Sequence, residues 1–242
     1  LKHWIAGKNP DGTVRRELED PLHSQPTIIN YSGGESVAFI GTNSGYLHAF
    51  NVDETQPEEL FAFIPKELLH NPDHYLSPRP AGSPKVYGLD GPISYWHDDH
   101  NLNGKVDGAD KVILYVGMRR GWSSYYALDV TNKNAPKLLW KIHGKYAASA
   151  KNKPSITSGF DNLGQTWSKL IPAEIKWQGK RKVVLFAGAG YDTAEDGSTL
   201  AGPNNRLNHS VATTIYMIDA ETGDLLWDAE KHATLETGHD MR

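Results

Sequence analysis

Short runs of β-branched and aromatic residues, each ended by glycine or a polar turn, recur along the chain. Three units share one order: an apolar run ending at glycine, an alternating run ending in Asp or Asn, a turn, and a last short run. The glycines that end the first runs are Gly41, Gly117 and Gly188. A further strand-like stretch precedes each unit, at residues 26–30, 92–96 and 169–176. Runs of strand length bounded by turn residues are typical of β-strands, so each unit is predicted to contain four strands.

Four antiparallel strands per repeat indicate the blade of a β-propeller, and the predicted fold class is therefore all-β. The predicted blades cover residues 24–63, 92–142 and 168–229 of a single domain, 1–242. The insertions within and between them are assigned to residues 64–91, 97–110, 143–167 and 190–213. Three blades cannot close a ring, so only part of the ring is expected in this chain. Strands of an ordinary β-sandwich are the alternative, because short apolar runs are ambiguous.

Two of the insertions carry local signals of their own. In the insertion 64–91, a proline suited to the first helical position predicts a short helix that begins at Pro65. Residues 191–212 are dominated by Gly, Asn, Asp and Ser without periodicity, which predicts an exposed, mobile loop. Asp192 and Asp196 lie in this loop and are interpreted as solvated, because the near sequence offers no partners for a second ion.

Two tryptophans occupy equivalent places in the repeat. Trp140 and Trp227 each end a Leu-Leu-Trp run at the close of a unit. A large aromatic ring that recurs at one position of every repeat is expected to pack rather than to bind ligand. We therefore predict that these indoles pack between blades.

Composition excludes several classes of function. The formal net charge is −4, and no long run of Lys or Arg is present, which argues against nucleic acid as the main partner. The chain has no cysteine, so disulfides, thiolate metal sites and cysteine nucleophiles are excluded within it. No stretch of 18 apolar residues occurs, and the first residues lack an apolar signal core, so an export signal is expected upstream of residue 1.

The clearest chemical signal is an acidic loop that begins at Asp99. Oxygen side chains alternate along it, and Gly104 stands at position 6, where calcium loops need a sharp turn. Ca²⁺ takes six to eight hard oxygen ligands, which alternate residues of a tight loop can supply. The candidate ligands, at loop positions 1, 3, 5, 7, 9 and 12, are Asp99, Asn101, Asn103, Lys105 through its backbone carbonyl, Asp107 and Asp110.

The loop differs from a helix-flanked calcium hand, because strand-like runs precede and follow it. Because only two of its ligands, Asp99 and Asp107, are clear carboxylates and two are amides, the loop is expected to bind Ca²⁺ with a dissociation constant in the weak extracellular class, about 10⁻⁴ to 10⁻³ M. A solvated Asn/Asp/Gly turn is one alternative, since these residues favour turns without an ion. A transition-metal site built on His97 and His100 is another, weighed against the expectation that both histidines are exposed polar residues.

Several segments, taken together and in order, closely resemble the C-terminal domain of the PilY family of type IV pilus tip-associated adhesins and biogenesis factors. They cover almost the whole chain, and no single segment carries the resemblance alone. The segments are DPLHSQP at 20–26, FIGTNSGYLHAF at 39–50, FIPKELL at 63–69, YVGMRRG at 115–121, YYALDV at 125–130, LGQTWS at 163–168 and GYD at 190–192.

This resemblance implies a quinoprotein-like β-propeller that is exported through the periplasm to the outer cell surface and the pilus tip, or fimbrium. It implies support of pilus extension, twitching motility and adhesion, with Ca²⁺ as the bound cofactor. The expected partners are pilin and minor pilins of the type IV pilus and a host-cell surface receptor. In this family, calcium binding is associated with the control of pilus extension against retraction.

The chain is expected to be non-enzymatic. No G-x-S-x-G, H-E-x-x-H or G-x-x-x-x-G-K-[ST] motif is present, so the hydrolase, zincin and P-loop classes lack their minimum signals. A quinone-dependent dehydrogenase shares the blade pattern and is one alternative. Such enzymes commonly carry adjacent cysteines at the cofactor pocket, and this chain has no cysteine. An outer-membrane assembly scaffold of propeller form is a further alternative.

Overall fold

Twelve strands form three four-stranded antiparallel sheets in the part of the chain that the structure describes. The structure is a computed structural model, and it describes residues 20–52, 57–70, 82–145, 153–193 and 211–232, with residue 55 and a few positions before residue 20. The runs that end at Gly41, Gly117 and Gly188 all form strands. Alternating apolar residues in these runs bury opposite faces of each strand, which is why the segments pair into sheets.

The strands of each sheet follow one another in chain order. The first sheet contains β1 (Thr27–Asn30), β2 (Ser36–Gly41), β3 (Leu47–Asn51) and β4 (Glu58–Phe63). The second contains β5 (Ile93–Asp98), β6 (Lys111–Gly117), β7 (Ser124–Asp129) and β8 (Lys137–His143). The third contains β9 (Ile171–Trp177), β10 (Lys180–Gly188), β11 (Ile215–Asp219) and β12 (Leu225–Asp228). Each sheet is thus a four-stranded meander, and we call the three sheets blades 1, 2 and 3.

The three blades share a bulge at the same repeat position. The pairing register shifts between the third and fourth strands in every blade. The shifts fall between Ala49 and Phe50, between Ala127 and Leu128, and between Met217 and Ile218. These pairs occupy equivalent places in the sequence repeat, each one residue before the Asn or Asp that ends the strand. A bulge is a defined structural feature, so its recurrence indicates that the three units are true repeats.

Two buried clusters hold the blades face to face. One lies between blades 1 and 2 and includes Val112, Leu114 and Val116 of β6. The other lies between blades 2 and 3 and includes Ile113 and Tyr115 of the same strand. Strand β6 therefore buries both of its faces, as the central blade of three must. Meander blades stacked in this way confirm the predicted all-β propeller, with only part of the ring present.

The last strand of blade 2 contributes an indole to the junction with blade 3. Trp140 is buried, and its Nε1–H donates a hydrogen bond of 3.1 Å to the carbonyl oxygen of Ala220 in blade 3. The hydroxyl of Tyr115 donates to the same oxygen at 3.2 Å. Trp140 therefore packs between blades, as predicted. Trp227, at the equivalent place in β12, is half-buried.

Helices are few and short among the described residues. A 3₁₀ helix at Lys66–His70 follows Pro65, and the Leu68 N–H donates to the Pro65 carbonyl at 3.1 Å. The short helix predicted at this proline is thus present as a 3₁₀ helix. A second 3₁₀ helix spans Ser32–Gly34, and one α-helical turn spans Ala229–His232. Within the described ranges, none of the helices has the length and apolar character needed to cross a bilayer.

The insertion after β10 departs from its prediction at its start. Asp192 is 6% exposed rather than solvated, so its interpretation as a residue of an open loop was wrong. The residue before it, Tyr191, forms an antiparallel bridge with Gln165, and this bridge holds the start of the insertion against the segment that precedes blade 3. That pairing joins residues far apart in sequence, which local composition does not report. Asp196 and most of the predicted mobile loop lie outside the described residues.

Candidate metal centre

The acidic loop closes the hairpin between β5 and β6 of blade 2. These strands pair along their whole length, ending at Asp98 opposite Lys111, so the residues between them must project from the edge of the blade. The chain bends sharply there. Leu102 and Gly104 both have positive φ, of 58° and 71°, and the Leu102 side chain is 87% exposed. Glycine adopts this conformation without steric cost, which explains its presence at the sixth position.

Backbone amides draw the first half of the loop around Asp99. The Asn103 N–H lies 3.2 Å from Asp99 Oδ1, and the Gly104 N–H donates to Asp99 Oδ2 at 2.7 Å. The Asn101 side-chain oxygen also accepts from the Asn103 N–H, at 3.1 Å. The Lys105 N–H in turn donates to Asn103 Oδ1 at 2.7 Å. The side chains at positions 1, 3 and 5 therefore all turn toward the inside of the loop.

Asp107 faces these side chains from the other half of the loop. The amide of Asn101 donates to Asp107 Oδ1 at 2.9 Å, and the amide of Asn103 donates to Asp107 Oδ2 at 2.8 Å. Four predicted ligands, Asp99, Asn101, Asn103 and Asp107, are thus brought together. The two amide NH₂ groups lie against a carboxylate, where a cation would be favoured. The four side chains together offer carboxylate and amide oxygens, and this donor set fits Ca²⁺.

Asp110, the predicted twelfth-position ligand, lies beneath the loop and is buried. It accepts hydrogen bonds from the His100 N–H at 3.0 Å and the Asp107 N–H at 3.1 Å. Its Oδ2 also lies 3.2 Å from His97 Nε2. The hydrogen bond from the His100 amide, supported by the Asp107 amide and by His97, lowers the pKa of Asp110 to about 2. Asp110 is therefore ionised at any physiological pH and organises the base of the loop.

Two histidines flank this buried carboxylate. The His97 side chain is only 13% exposed, so the expectation that both loop histidines are exposed holds for His100, at 57%, and fails for His97. Strand β5 extends to Asp98, beyond the predicted end at residue 96, and this extension carries His97 inward. His97, Asp99 and Asp110 each offer a ligand atom within 4.8 Å of the others. His100 Nδ1 lies 3.5 Å from Asp110 Oδ1.

Val106, at position 8 of the loop, attaches the loop to blade 1. Its N–H donates to the Asn30 carbonyl at 2.9 Å, and its carbonyl accepts from the Ser32 N–H at 3.1 Å. These bonds form a parallel bridge with Tyr31, and the valine side chain is buried in the cluster between blades 1 and 2. The sequence analysis did not single out this residue. A lone apolar side chain inside an exposed acidic loop was the signal that could have identified it.

A second concave site lies at the starts of the first strands of blades 1 and 2. It is a cleft of about 480 Å³. Its lining includes His23, Arg119, Trp167 and Lys169. The guanidinium carbon of Arg119 lies 4.2 Å from the centroid of the Trp167 ring, and its Nη1 lies 3.7 Å from the buried carboxylate of Asp90. Desolvation of the guanidinium lowers the pKa of Arg119, which the Asp90 charge opposes.

No protein-family model matches the chain, but proteins of known name resemble it in sequence. It is 30% identical over 217 residues to the type IV pilus biogenesis factor PilY1 of Pseudomonas aeruginosa strain UCBPP-PA14, covering 78% of this chain and 17% of that protein. It is 28% identical over 187 residues to a PilY1 homologue of Xylella fastidiosa, covering 74% of this chain and 13% of that protein. The chain thus spans less than a fifth of the length of these relatives.

A solved structure also resembles the chain. The crystal structure of the P. aeruginosa PilY1 C-terminal domain aligns with 80% of this chain and 30% of its own length, at 24% identity and a TM-score of 0.49. The sequence relatives carry the assignment. The resemblance is confirmed: the chain is homologous to a segment of the PilY1 type IV pilus biogenesis factors and belongs with the PilY family.

Proposed function

We propose that this chain acts in type IV pilus biogenesis and adhesion as a non-enzymatic, calcium-binding propeller segment of an exported protein. The single observation that supports the pilus role is homology to proteins named as type IV pilus biogenesis factors. In this proposal the protein acts at the outer cell surface and pilus tip, where it contacts pilin, minor pilins and a host-cell receptor. It would thereby support pilus extension, twitching motility and attachment.

We propose Asp99, Asn101, Asn103, Asp107 and the Lys105 backbone carbonyl as the ligands of the calcium ion. The sixth predicted ligand, Asp110, is left out of this set because its oxygens accept hydrogen bonds from the His100 and Asp107 amides beneath the loop. A bound Ca²⁺ supplies two positive charges at the centre of the loop. Both carboxylates already point toward the loop interior, and the intervening amides hold them together. The fold therefore gathers the ligand side chains in one loop, and a bound ion would replace the exposed hydrogen bonds between them.

Calcium in this loop would stabilise the junction between blades 1 and 2. The link is Val106, whose backbone bonds to Asn30 and Ser32 and whose side chain packs in the cluster between the blades. An ion that restricts the loop also restricts this bridge, since the ligands Lys105 and Asp107 are the direct sequence neighbours of Val106. The proposed site is therefore a means of stiffening one propeller face in the presence of extracellular calcium.

Calorimetric titration tests the calcium site. We expect one Ca²⁺ to bind per chelated chain with a dissociation constant of about 10⁻⁴ to 10⁻³ M. The double substitution Asp99→Ala, Asp107→Ala is expected to abolish binding, because it removes both carboxylates from the loop interior. A charge-matched control, Asp11→Ala with Asp224→Ala, removes two exposed turn aspartates and should bind as the parent does. Binding that survives in the loop variant would exclude this ligand set.

Hydrogen exchange tests the proposed link to blade 1. Saturating Ca²⁺ is expected to slow exchange of the Ser32 and Val106 amides at least about threefold, because both amides close the bridge that the loop holds. The Gly223 amide, which donates to Asp219 in blade 3, serves as an internal control and should not change. Protection confined to residues 99–105 would show that the ion orders the loop without stabilising the junction.

The pilus role is tested in the bacterium that makes the protein. A chromosomal deletion of the residues of this chain is expected to reduce surface pili sheared from cells and to reduce the twitching zone. The Asp99→Ala, Asp107→Ala variant separates the two parts of the proposal. If this variant keeps normal piliation while the deletion does not, calcium is dispensable for biogenesis and the pilus role stands.

A further inference from the structure

The base of the acidic loop combines nitrogen and oxygen ligands that calcium does not need. His97 Nε2, His100 Nδ1 and the Asp99 carboxylate surround the buried carboxylate of Asp110. Calcium takes oxygen ligands, whereas imidazole nitrogens favour zinc, copper, nickel and iron. Two imidazoles with two carboxylates thus form a donor set typical of a transition-metal site.

The spacing of these atoms agrees with a tetrahedral ion. Zinc bonds of roughly 2.0–2.1 Å in a tetrahedron keep neighbouring ligand atoms about 3.3 Å apart. His97 Nε2 lies 3.2 Å from Asp110 Oδ2, and His100 Nδ1 lies 3.5 Å from Asp110 Oδ1. Asp99 brings its own oxygen within 4.8 Å of both His97 and Asp110. His97, Asp99 and Asp110 therefore already lie close enough to share one ion, and His100, which lies beside Asp110 but outside this group, would rotate toward it as the fourth ligand.

The site also has a rigid base and an open entrance. Asp110 is fixed by the amides of His100 and Asp107, and its side chain is 1% exposed. His97 is held on strand β5, where it pairs with Val112 of β6. His100 is more than half exposed, so the site is open to solvent on that side. A buried carboxylate, a histidine held on a strand and an exposed histidine provide ordered ligands and an entry path for an ion.

We propose that His97, His100, Asp99 and Asp110 bind a divalent transition-metal ion, with Zn²⁺ as the chemical model, at the base of the acidic loop. This site is distinct from the proposed calcium ligands Asn101, Asn103 and Asp107, and its existence does not depend on them. The two sites share Asp99. A zinc ion bound at this site would use one of the two carboxylates of the calcium loop, so the two ions would compete for Asp99.

Calorimetric titration of the chelated chain with Zn²⁺ alone tests this site. We expect one ion per chain, and we expect the double substitution His97→Gln, His100→Gln to weaken binding at least about tenfold, because both nitrogen ligands are lost. Visible absorption with Co²⁺ in place of Zn²⁺ should give the intense bands of a tetrahedral nitrogen-containing site in the parent chain and not in this variant. His3→Gln, an exposed histidine elsewhere in the chain, is the matched control and should bind as the parent does.

A reciprocal variant separates the two metals. Asp107→Asn is expected to weaken Ca²⁺ binding and leave Zn²⁺ binding within about twofold, because Asp107 lies outside the histidine cluster. The histidine variant should retain Ca²⁺. Zinc affinity that is unaffected by the histidine substitutions, or no zinc binding by the parent, overturns the inference. Histidine-dependent zinc binding by a chain that does not bind calcium would support this inference while removing the proposed calcium function.

Discussion

Gly121→Ala is expected to destabilise the chain strongly. An added Cβ at this position would lie 1.8 Å from the carbonyl oxygen of Gly88 and 2.8 Å from its carbonyl carbon. Both are backbone atoms, so no side chain can rotate to relieve the overlap. The two segments are also fixed, because the Gly121 N–H donates to the Met118 carbonyl and the Gly88 N–H donates to Asn43 Oδ1 in blade 1.

The expected loss in the free energy of unfolding is at least about 3 kcal/mol, the upper part of the range for overpacked positions. Urea denaturation followed by tryptophan fluorescence, together with the soluble yield, measures it. Gly179→Ala is the control. This glycine has a φ of 83°, but the space that an added Cβ would occupy is open. It should cost only about 1 kcal/mol, the penalty for a side chain in the left-handed region. Equal losses would mean that the backbone shifts to accommodate the added Cβ, and that the close approach of Gly88 to Gly121 does not limit stability.

The repeat could be predicted from the sequence because its signals are local. Alternation, terminal glycines and turn residues specify single strands and hairpins, and each blade is a meander of consecutive strands. The bulge after Ala49, Ala127 or Met217 was not predicted. A bulge depends on how the third strand pairs with the fourth, and no residue type marks it.

The candidate site was predictable to a similar extent. The positions that converge on the loop interior, from Asp99 to Asp107, follow from alternation along a tight turn. The role of Asp110 as the base of the loop could not be predicted, because its partner His97 lies on another strand, 13 residues earlier. Burial of His97 follows from the extension of β5, and strand ends are the least predictable part of an element.

The buried charged groups at the junction of blades 1 and 2 also could not be predicted from the sequence. Glu67, in the 3₁₀ helix after blade 1, is 5% exposed and accepts a hydrogen bond of 2.6 Å from the Tyr126 hydroxyl of blade 2. Lys141 and His143 of β8 lie 3.4 and 3.5 Å from the same carboxylate. Burial raises the pKa of Glu67, but the hydrogen bonds from Tyr126 and from the backbone, together with the nearby His143 and Lys141 side chains, outweigh it, and the net pKa is lowered. A glutamate in a short amphipathic helix gives no local sign of such a site.

Trp140→Ala is expected to destabilise the junction between blades 2 and 3 by about 3 to 5 kcal/mol, the range for removal of a buried aromatic side chain. The indole is 7% exposed and stacks on Tyr115, with ring centroids 5.9 Å apart. The backbone of blade 3 lies against its other side, since a Cβ on Gly223 would come within 2.8 Å of the ring. Neither neighbour can collapse into the cavity without moving a blade. The free energy of unfolding in urea measures the loss.

Two further substitutions assign this loss to the junction. Trp140→Phe keeps an aromatic ring and removes the Nε1–H donor to the Ala220 carbonyl. It should cost only about 1 to 2 kcal/mol, because Tyr115 still donates to that oxygen. Trp227→Ala removes the equivalent, half-buried indole of blade 3 and should cost less than Trp140→Ala, since less buried surface is lost. If Trp140→Ala and Trp227→Ala lower the free energy of unfolding equally, each indole stabilises its own blade, and the junction between blades 2 and 3 does not depend on Trp140.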